Sequence, residues 1–131
     1  MNRTPKIGLD FHGVISYMPE FFAFFTKAII EAGGEIHIIT GGLFPEELDL
    51  IHKYDIKYTK IFAIREYHKQ KGTPTFKNHP VHGFPMVSDE EWDKTKGEYC
   101  EREGIDFHID DTIQYEKNFT TPFCMFYKKK L

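Results

Sequence analysis

The sequence predicts an α/β fold, with a mainly parallel five-stranded sheet and helices packed on its faces. Short apolar runs alternate with longer amphipathic segments along the chain, and this alternation is typical of parallel sheets. Two of the runs, residues 7–10 and 105–110, end on aspartates. The length of 131 residues fits one domain over residues 1–131. We therefore expect carboxylates at the sheet edge where ligands bind in such folds.

Each predicted element has a local cause in the sequence. Proline is favoured in the first turn of a helix, and Pro19 and Pro45 begin two of them. Ser88 and Glu91, three residues apart, form the capping box of a third helix, which ends at Gly104. The five strands are expected over residues 7–10, 35–40, 60–64, 105–110 and 123–127.

Residues 65–87 interrupt the alternation of strands and helices. They contain five residues that break regular structure, Gly72, Pro74, Pro80, Gly83 and Pro85. We expect no helix here, but a small insertion with a hairpin that stands above the sheet edge as a lid. The three histidines of this segment have a spacing that fits zinc poorly, and no cysteine lies near them.

Composition and charge exclude several classes of function. The net charge of −3 favours neither nucleic acid nor an anionic membrane surface as a partner. No apolar run approaches the roughly 20 residues of a membrane span, and the first six residues contain no apolar signal region. Cys100 and Cys124 are expected to be reduced core thiols of a cytoplasmic protein. The lysines at 128–130 are expected to form a solvated end, and the oligomeric state stays open.

Polar side chains follow several strands at one edge of the predicted sheet. Asp10 ends the first strand and Thr40 the second, while Asp110 and Asp111 end the fourth. A carboxylate can attack phosphorus and form an aspartyl-phosphate. A threonine hydroxyl and backbone N–H groups, such as that of Gly41, can hold phosphoryl oxygens. Because Mg²⁺ prefers oxygen ligands, typically one or two carboxylates with substrate and water, these residues predict Mg²⁺-dependent phosphate chemistry.

A lysine is also expected at such a site, because it offsets the negative charge of the phosphoryl group. Lys94 and Lys96 both lie in the helix that begins after Ser88. At a period of 3.6 residues, Lys96 shares the apolar face of the helix with Trp92 and Tyr99, and Lys94 points away from it. A lysine on an inward face is unusual and needs a partner, so we favour Lys96 and keep Lys94 as the alternative.

The order of these residues resembles the motif order of the haloacid dehalogenase superfamily. The superfamily has D-x-D-x-[TV], then a Ser or Thr, then a Lys, then an acidic pair. The corresponding residues here are Asp10-x-His12-Gly13-Val14, Thr40, Lys96 and Asp110-Asp111. Each motif alone is weak, but four in order, at matching strand ends or helix starts from residue 7 to about 112, are specific together.

The resemblance implies a Rossmann-like three-layer sandwich and a catalytic centre. Asp10 would be the nucleophile of a phosphoric monoester hydrolase. Its carboxylate, the backbone carbonyl of His12 and one or both of Asp110 and Asp111 would surround Mg²⁺.

The resemblance also implies how a substrate would bind. Thr40, Gly41 and Lys96 would hold the phosphoryl group of a small phosphate ester, nucleotides included. No large cap fits between the first strand and its helix, so residues 65–87 would serve as a minimal lid.

His12 departs from the family pattern, in which phosphatases usually carry an aspartate two residues after the nucleophile. That aspartate acts as acid to the leaving group and then as base to water. A histidine can do both near neutral pH, but it does not supply the same negative charge. The leading hypothesis is a Mg²⁺-dependent phosphatase, and the alternative is a phosphate- or nucleotide-binding module with little turnover. A response-regulator receiver is a poor fit, since receivers place the acidic pair first.

Overall fold

The computed structural model describes residues 3–129, and its elements follow the predicted alternation. The strands are β1 (Lys6–Leu9), β2 (Glu35–Thr40), β3 (Lys60–Ala63), β4 (Lys77–Asn78), β5 (Pro85–Met86), β6 (Phe107–Asp110) and β7 (Phe123–Met125). The helices are α1 (Pro19–Glu31), α2 (Pro45–Tyr54), α3 (Ile64–Lys71) and α4 (Asp89–Glu103), with a 3₁₀ helix over Ile113–Asn118. Five strands form one parallel sheet in the order β3-β2-β1-β6-β7, and β4 and β5 form an antiparallel hairpin.

Helices cover both faces of the main sheet, which makes the fold a Rossmann-like three-layer sandwich. On one face, side chains of β1 and β2 such as Leu9 and Ile38 pack with Phe22 of α1 and Ile51 of α2. The next residue of β2, Ile39, points to the opposite face, as strand geometry requires, and belongs to a second cluster with residues of α4. The predicted fold class is therefore confirmed.

The strand register aligns the carboxyl ends of β1 and β6. Leu9 in β1 pairs with Ile109 in β6, and both strands run in the same direction. The next residue along each strand is an aspartate, and the N–H of Asp10 donates to the carbonyl of Ile109 at 3.0 Å. Asp10 and Asp110 consequently lie side by side at one edge of the sheet.

The segment after β3 differs from the expectation. A helix, α3, follows β3 directly, so the prediction that residues 65–87 contain no helix is wrong. The strong breakers begin only at Gly72, and that residue ends α3 in a left-handed conformation with φ of +77°. The β4–β5 hairpin occupies the second half of the segment, as expected.

Helix α4 agrees with the prediction at both ends. The N–H of Glu91 donates to Ser88 Oγ at 3.2 Å, and Gly104 ends the helix. The expectation for the cysteines is only partly right: both are free thiols, but Cys100 is buried and Cys124 is exposed. Cys124 lies in β7, an edge strand with only one neighbour. In the part of the chain that is described, no helix has the length and apolar character to cross a membrane.

Candidate active site

Three carboxyl groups meet beyond the ends of β1 and β6. Asp10, Asp110 and Asp111 each offer one oxygen, and these oxygens all lie within 4.8 Å of one another. The Asp110 side chain is fully buried and that of Asp10 is 8% exposed. Hard oxygen donors grouped this closely are the ligands that Mg²⁺ prefers, so the donor set fits such an ion.

Lys96 of α4 pairs with two of these three carboxyl groups. Its Nζ is 2.9 Å from Asp10 Oδ1 and 2.9 Å from Asp110 Oδ2, and its side chain is buried. Lys94 pairs instead with Glu91 on the outer side of the helix, at 3.2 Å. The structure therefore brings Lys96, and not Lys94, to the predicted site.

The pKa values of the two buried aspartates, Asp10 and Asp110, are shifted in opposite directions. Burial raises the pKa of Asp10 well above 3.8, and the nearby Lys96 offsets only part of that rise. Burial acts on Asp110 in the same direction, but Lys96 and His108 outweigh it and lower the pKa to about 2. For Lys96, burial favours the neutral form, but Asp10 and Asp110 more than offset it and raise the pKa. Asp110 therefore carries the permanent negative charge beside Lys96.

His108 supports Asp110 from within β6. Its ring is fully buried, and Nε2 lies 2.8 Å from Asp110 Oδ2. Burial lowers the pKa of His108, so the ring is neutral near pH 7 and its Nε2–H donates to the carboxylate. His108 and Asp110 are two residues apart in β6 and therefore lie on the same face of the strand. The sequence did not predict their contact, because a run of strand residues does not show which side chains on one face bond to each other.

Asp111 occupies a more open position than Asp110. Its Oδ2 accepts from Lys128 Nζ at 2.9 Å, and its Oδ1 accepts from the Thr112 hydroxyl at 3.2 Å. Lys128 is 41% exposed, in keeping with the solvated end predicted for residues 128–130, and it also brings a second cation to the site. Lys130 lies outside the described residues.

The turn after β1 shapes the entrance to the site. Gly13 has a φ of +82°, a left-handed conformation that side chains other than glycine rarely adopt. A Cβ atom at this position would also overlap the Asp111 carboxylate. Only glycine lets the chain pass this close to the acidic pair, so Gly13 has a clear physical role in the motif.

His12 points across the entrance to a buried carboxylate that sequence reasoning missed. Its Nε2 lies 2.6 Å from Glu47 Oε1, and the Glu47 side chain is 1% exposed whereas that of His12 is 58% exposed. Glu47 Oε2 also accepts the N–H of Phe44 at 3.0 Å, at the start of α2. In the sequence, Glu47 resembles any acidic residue of a first helical turn, and only the fold places it opposite His12.

A cavity of about 330 Å³ opens over these groups, and we call it the Asp10 cavity. It is lined by Asp10, His12, Gly13, Gly41, Lys96, Asp111, Thr112, Tyr115 and Lys128. Tyr115 is a further residue that the sequence did not indicate, and its ring centroid lies 4.8 Å from Lys96 Nζ. Most of the predicted site residues therefore share one cavity.

Two predicted site residues lie behind the cavity wall. Asp110 is fully buried beneath Lys96. Thr40 is 1% exposed, and its hydroxyl donates to the carbonyl of Gly42 at 3.4 Å. The cavity is lined by Gly41, the residue after Thr40, so the end of β2 reaches the site through its backbone.

Comparison with known proteins gave no relative for this chain. No protein-family model, no curated protein and no solved structure matched it.

Proposed function

We propose that this protein is a Mg²⁺-dependent phosphoric monoester hydrolase that works through an aspartyl-phosphate on Asp10. The observation that carries the proposal is the cluster of Asp10, Asp110 and Asp111 at the carboxyl ends of two parallel strands, with Lys96 paired to the first two. The motif order supports membership of the haloacid dehalogenase superfamily. A small phosphorylated substrate and a cytoplasmic location belong to the same proposal.

In the first step, an Asp10 carboxylate oxygen attacks phosphorus and the bond from phosphorus to the ester oxygen breaks. The leaving alcohol takes a proton from His12. In the second step, water attacks the phosphorus of the aspartyl-phosphate while His12 accepts a water proton. Inorganic phosphate leaves, and the Asp10 carboxylate is restored. Both steps depend mainly on positioning and charge, so few residues suffice.

The cationic groups of the Asp10 cavity would bind the phosphoryl oxygens. Lys96 is fixed by two carboxylates and cannot swing away, since its Nζ contacts both at 2.9 Å. Lys128 is 41% exposed and contacts only Asp111 among the described residues. It can move from that carboxylate to a bound phosphoryl group. The backbone N–H of Gly41 would complete the contacts, with Thr40 as the support behind it.

Asp10, Asp110 and Asp111 would hold the metal, together with the backbone carbonyl of His12. Bound Mg²⁺ would offset the charge on the transferring phosphoryl group. Because burial raises the pKa of Asp10, its carboxyl has to lose a proton as a cation binds. Affinity for Mg²⁺ should therefore increase with pH.

The contact between His12 and Glu47 is compatible with two functions of the site, hydrolysis and phosphate binding without turnover. A buried carboxylate can orient an imidazole for proton transfer, as a third group orients the base in catalytic triads. The same contact occupies His12 Nε2 at 2.6 Å, which leaves only Nδ1 for a substrate. The second candidate function, a phosphate-binding module with little turnover, follows from this occupied nitrogen.

Phosphate release from a panel of phosphomonoesters tests the proposal, with Mg²⁺ and with EDTA. We expect release that depends on Mg²⁺ and falls at least about a thousandfold in Asp10→Asn. Asp49→Asn, on the exposed side of α2, is the matched control and should retain activity. Undiminished release by Asp10→Asn would contradict the proposal. Binding of phosphate and Mg²⁺ without release from any ester would favour the binding module.

A further inference from the structure

A second cavity of about 330 Å³ lies between α3, the β4–β5 hairpin and the first turn of α4. We call it the Trp92 cavity. Its walls combine the rings of Phe84 and Trp92 with the cations of Arg65 and Lys69 and the hydroxyl of Thr75. Among the described residues that line it, none is acidic. This combination of rings and hydrogen-bond donors differs from the carboxylate-rich Asp10 cavity.

The two cavities adjoin each other across Trp92 and Gly41. A Cβ atom on Gly41 would lie 3.1 Å from Trp92 Cζ2, and the carbonyl of Gly41 accepts the N–H of Arg65 at 2.9 Å. Trp92, which lines one cavity, and Lys96, which lines the other, are four residues apart in α4 and therefore about 6 Å apart along the helix axis. A phosphate ester whose phosphate lies beside Lys96 can therefore extend its esterified group toward the Trp92 cavity.

We propose that the Trp92 cavity receives the aromatic group of the phosphate ester, a planar ring whose edge presents oxygen acceptors, as in a keto nucleobase. This proposal rests on the proposed function, because it names the substrate class of that site. The volume lies at the lower end of the range for ligand sites. That space suits one small heterocycle, with a sugar as the spacer to the phosphate.

The aromatic walls provide surfaces on which such a ring can stack. Phe84 and Trp92 are nearly parallel, with centroids 6.2 Å apart and an angle of 25° between their planes. His79 is already stacked on the buried Phe84 ring at 4.8 Å, so the partly exposed Trp92 ring is the main surface for a ligand. The Arg65 guanidinium lies 4.9 Å from the Phe44 centroid and 5.3 Å from that of Phe84. These rings fix the guanidinium in orientation, so its donors have a defined direction for a planar ligand.

The polar groups of the cavity select for acceptors on the ligand. Arg65 and Lys69 have only donors, and one Arg65 nitrogen, Nη1, already donates to Glu66 Oε2 at 2.7 Å, which leaves its other N–H groups for a ligand. Both nitrogens of His68 are already used. His68 Nε2 lies 2.7 Å from Thr95 Oγ1 and Nδ1 lies 2.8 Å from Thr73 Oγ1. No carboxylate of the described residues lines the cavity, and the Thr75 hydroxyl, which can donate or accept, is the side-chain acceptor named among its walls. Because the charged groups only donate, a keto edge finds more partners than an amino edge does.

Trp92 is the only tryptophan of the chain, so its fluorescence reports on a ligand at this cavity. Its Nε1–H also donates to Tyr115 of the Asp10 cavity at 3.0 Å, and ligands without phosphate are used for that reason. The test titrates the full chain with uridine, inosine, cytidine and adenosine, without phosphate or metal. We expect a saturable change in emission, with affinity for the two keto nucleosides about tenfold higher than for the amino nucleosides. No saturable change with any nucleoside, or equal affinity for all four, would overturn the proposal.

Two lysines of α3 provide a matched pair of variants. Lys69 lines the cavity, whereas Lys71, two residues later, lies over the Tyr67 ring and does not line it. Lys69→Gln should weaken uridine binding about five- to tenfold, the loss expected for a charge-assisted hydrogen bond. Lys71→Gln should change it less than about twofold. Equal effects of the two variants would contradict a contact at Lys69.

The outcomes also separate this proposal from the hydrolase itself. Nucleoside binding does not require Asp10, so Asp10→Asn should keep the fluorescence response. Keto nucleoside binding without phosphate release from any nucleotide would support the cavity and contradict the hydrolase. Phosphate release from simple esters, with no nucleoside response at Trp92, would contradict the cavity proposal alone.

Discussion

The two cavities on either side of Trp92 hold their charges in opposite ways. In the Asp10 cavity, charged groups at strand ends are buried and paired with one another, as Lys96 is with Asp10 and Asp110. In the Trp92 cavity, Arg65 lies against aromatic rings and pairs with the partly exposed Glu66 next to it, and Lys69 is exposed. The buried charges are part of the core, so a substitution there changes the free energy of unfolding. The charges of the insertion can change while the sheet stays intact.

This contrast suggests a division of work between the two regions. The sheet edge fixes reacting groups within a few ångströms, as phosphoryl transfer requires. The insertion presents groups that can distinguish one ligand from another. Substitutions in the Asp10 cavity should therefore alter the free energy of unfolding, and substitutions in the Trp92 cavity should alter affinity alone.

The largest effect is expected for Lys96→Met. It leaves the carboxyl groups of Asp10 and Asp110 buried without their counter-charge, and breaking a buried ion pair in this way costs about 3–5 kcal/mol. Urea denaturation measures the loss. Lys94→Met removes a lysine two residues away whose only acidic contact is on the helix surface, and should cost less than about 0.5 kcal/mol. Similar losses in the two variants would mean that Lys96 does not hold the site together.

Gly13→Ala should have the next largest effect, and Gly33→Ala is its control. Both glycines have positive φ, +82° and +94°, but a Cβ on Gly33 meets no atom within 4 Å. Gly33→Ala therefore isolates the backbone cost, about 1–2 kcal/mol. Gly13→Ala adds the overlap with Asp111 and should cost at least about 1 kcal/mol more.

The two glycine variants also differ in their expected effect on the metal. Gly13→Ala should weaken Mg²⁺ binding measured by calorimetry, because it displaces one of the carboxylates. Gly33→Ala should bind Mg²⁺ as the wild type does. Equal stability and equal Mg²⁺ affinity of the two variants would contradict the close approach of the turn to Asp111.

Asp10→Asn should stabilise the metal-free protein, by about 1 kcal/mol at pH 7. In the unfolded chain Asp10 ionises near pH 3.8, and burial raises its pKa in the folded state. Below pH 3.8 the carboxyl is protonated in both states and costs nothing. As pH rises toward the folded pKa, the unfolded state ionises more readily and the wild type loses stability. The gain in Asp10→Asn should therefore grow with pH in EDTA, and a gain that does not vary with pH would contradict this account.

The smallest effect on stability is expected in the Trp92 cavity. Lys69→Gln should change the melting temperature by no more than Lys71→Gln does, because exposed charges contribute little to stability. Nucleoside affinity should still fall for Lys69→Gln. Thermal unfolding checks the prediction, and a marked loss of stability would show that the insertion is coupled to the core as tightly as the sheet edge is.

Much of the Asp10 cavity was predictable from the sequence because strand direction fixes where the strand ends lie. Once β1 and β6 are neighbouring parallel strands, Asp10 and Asp110 have to meet, and the helical period turns Lys96 toward them. Glu47, Tyr115 and Lys128 were not predictable, because they reach the cavity from elements whose orientation depends on packing.

The insertion was harder to predict for a different physical reason. Residues 64–71 contain no glycine or proline. The prediction failed to find helix α3 there because it counted the glycines and prolines of residues 65–87 together. The end of α3 and the hairpin then bring Lys69, Thr75 and Phe84 together around Trp92 through contacts distant in sequence. Such contacts have no local signature, so the Trp92 cavity appears only in the folded chain.

The most direct test of the central claim is to trap the phosphorylated aspartate. During turnover of a phosphomonoester with Mg²⁺, hydroxylamine attacks an aspartyl-phosphate and leaves a hydroxamate on that side chain. Mass spectrometry of the digested protein locates the modified residue. We expect the hydroxamate on Asp10, dependent on both substrate and Mg²⁺. Phosphate release with Asp10 unmodified, or with the hydroxamate on another residue, would contradict the account.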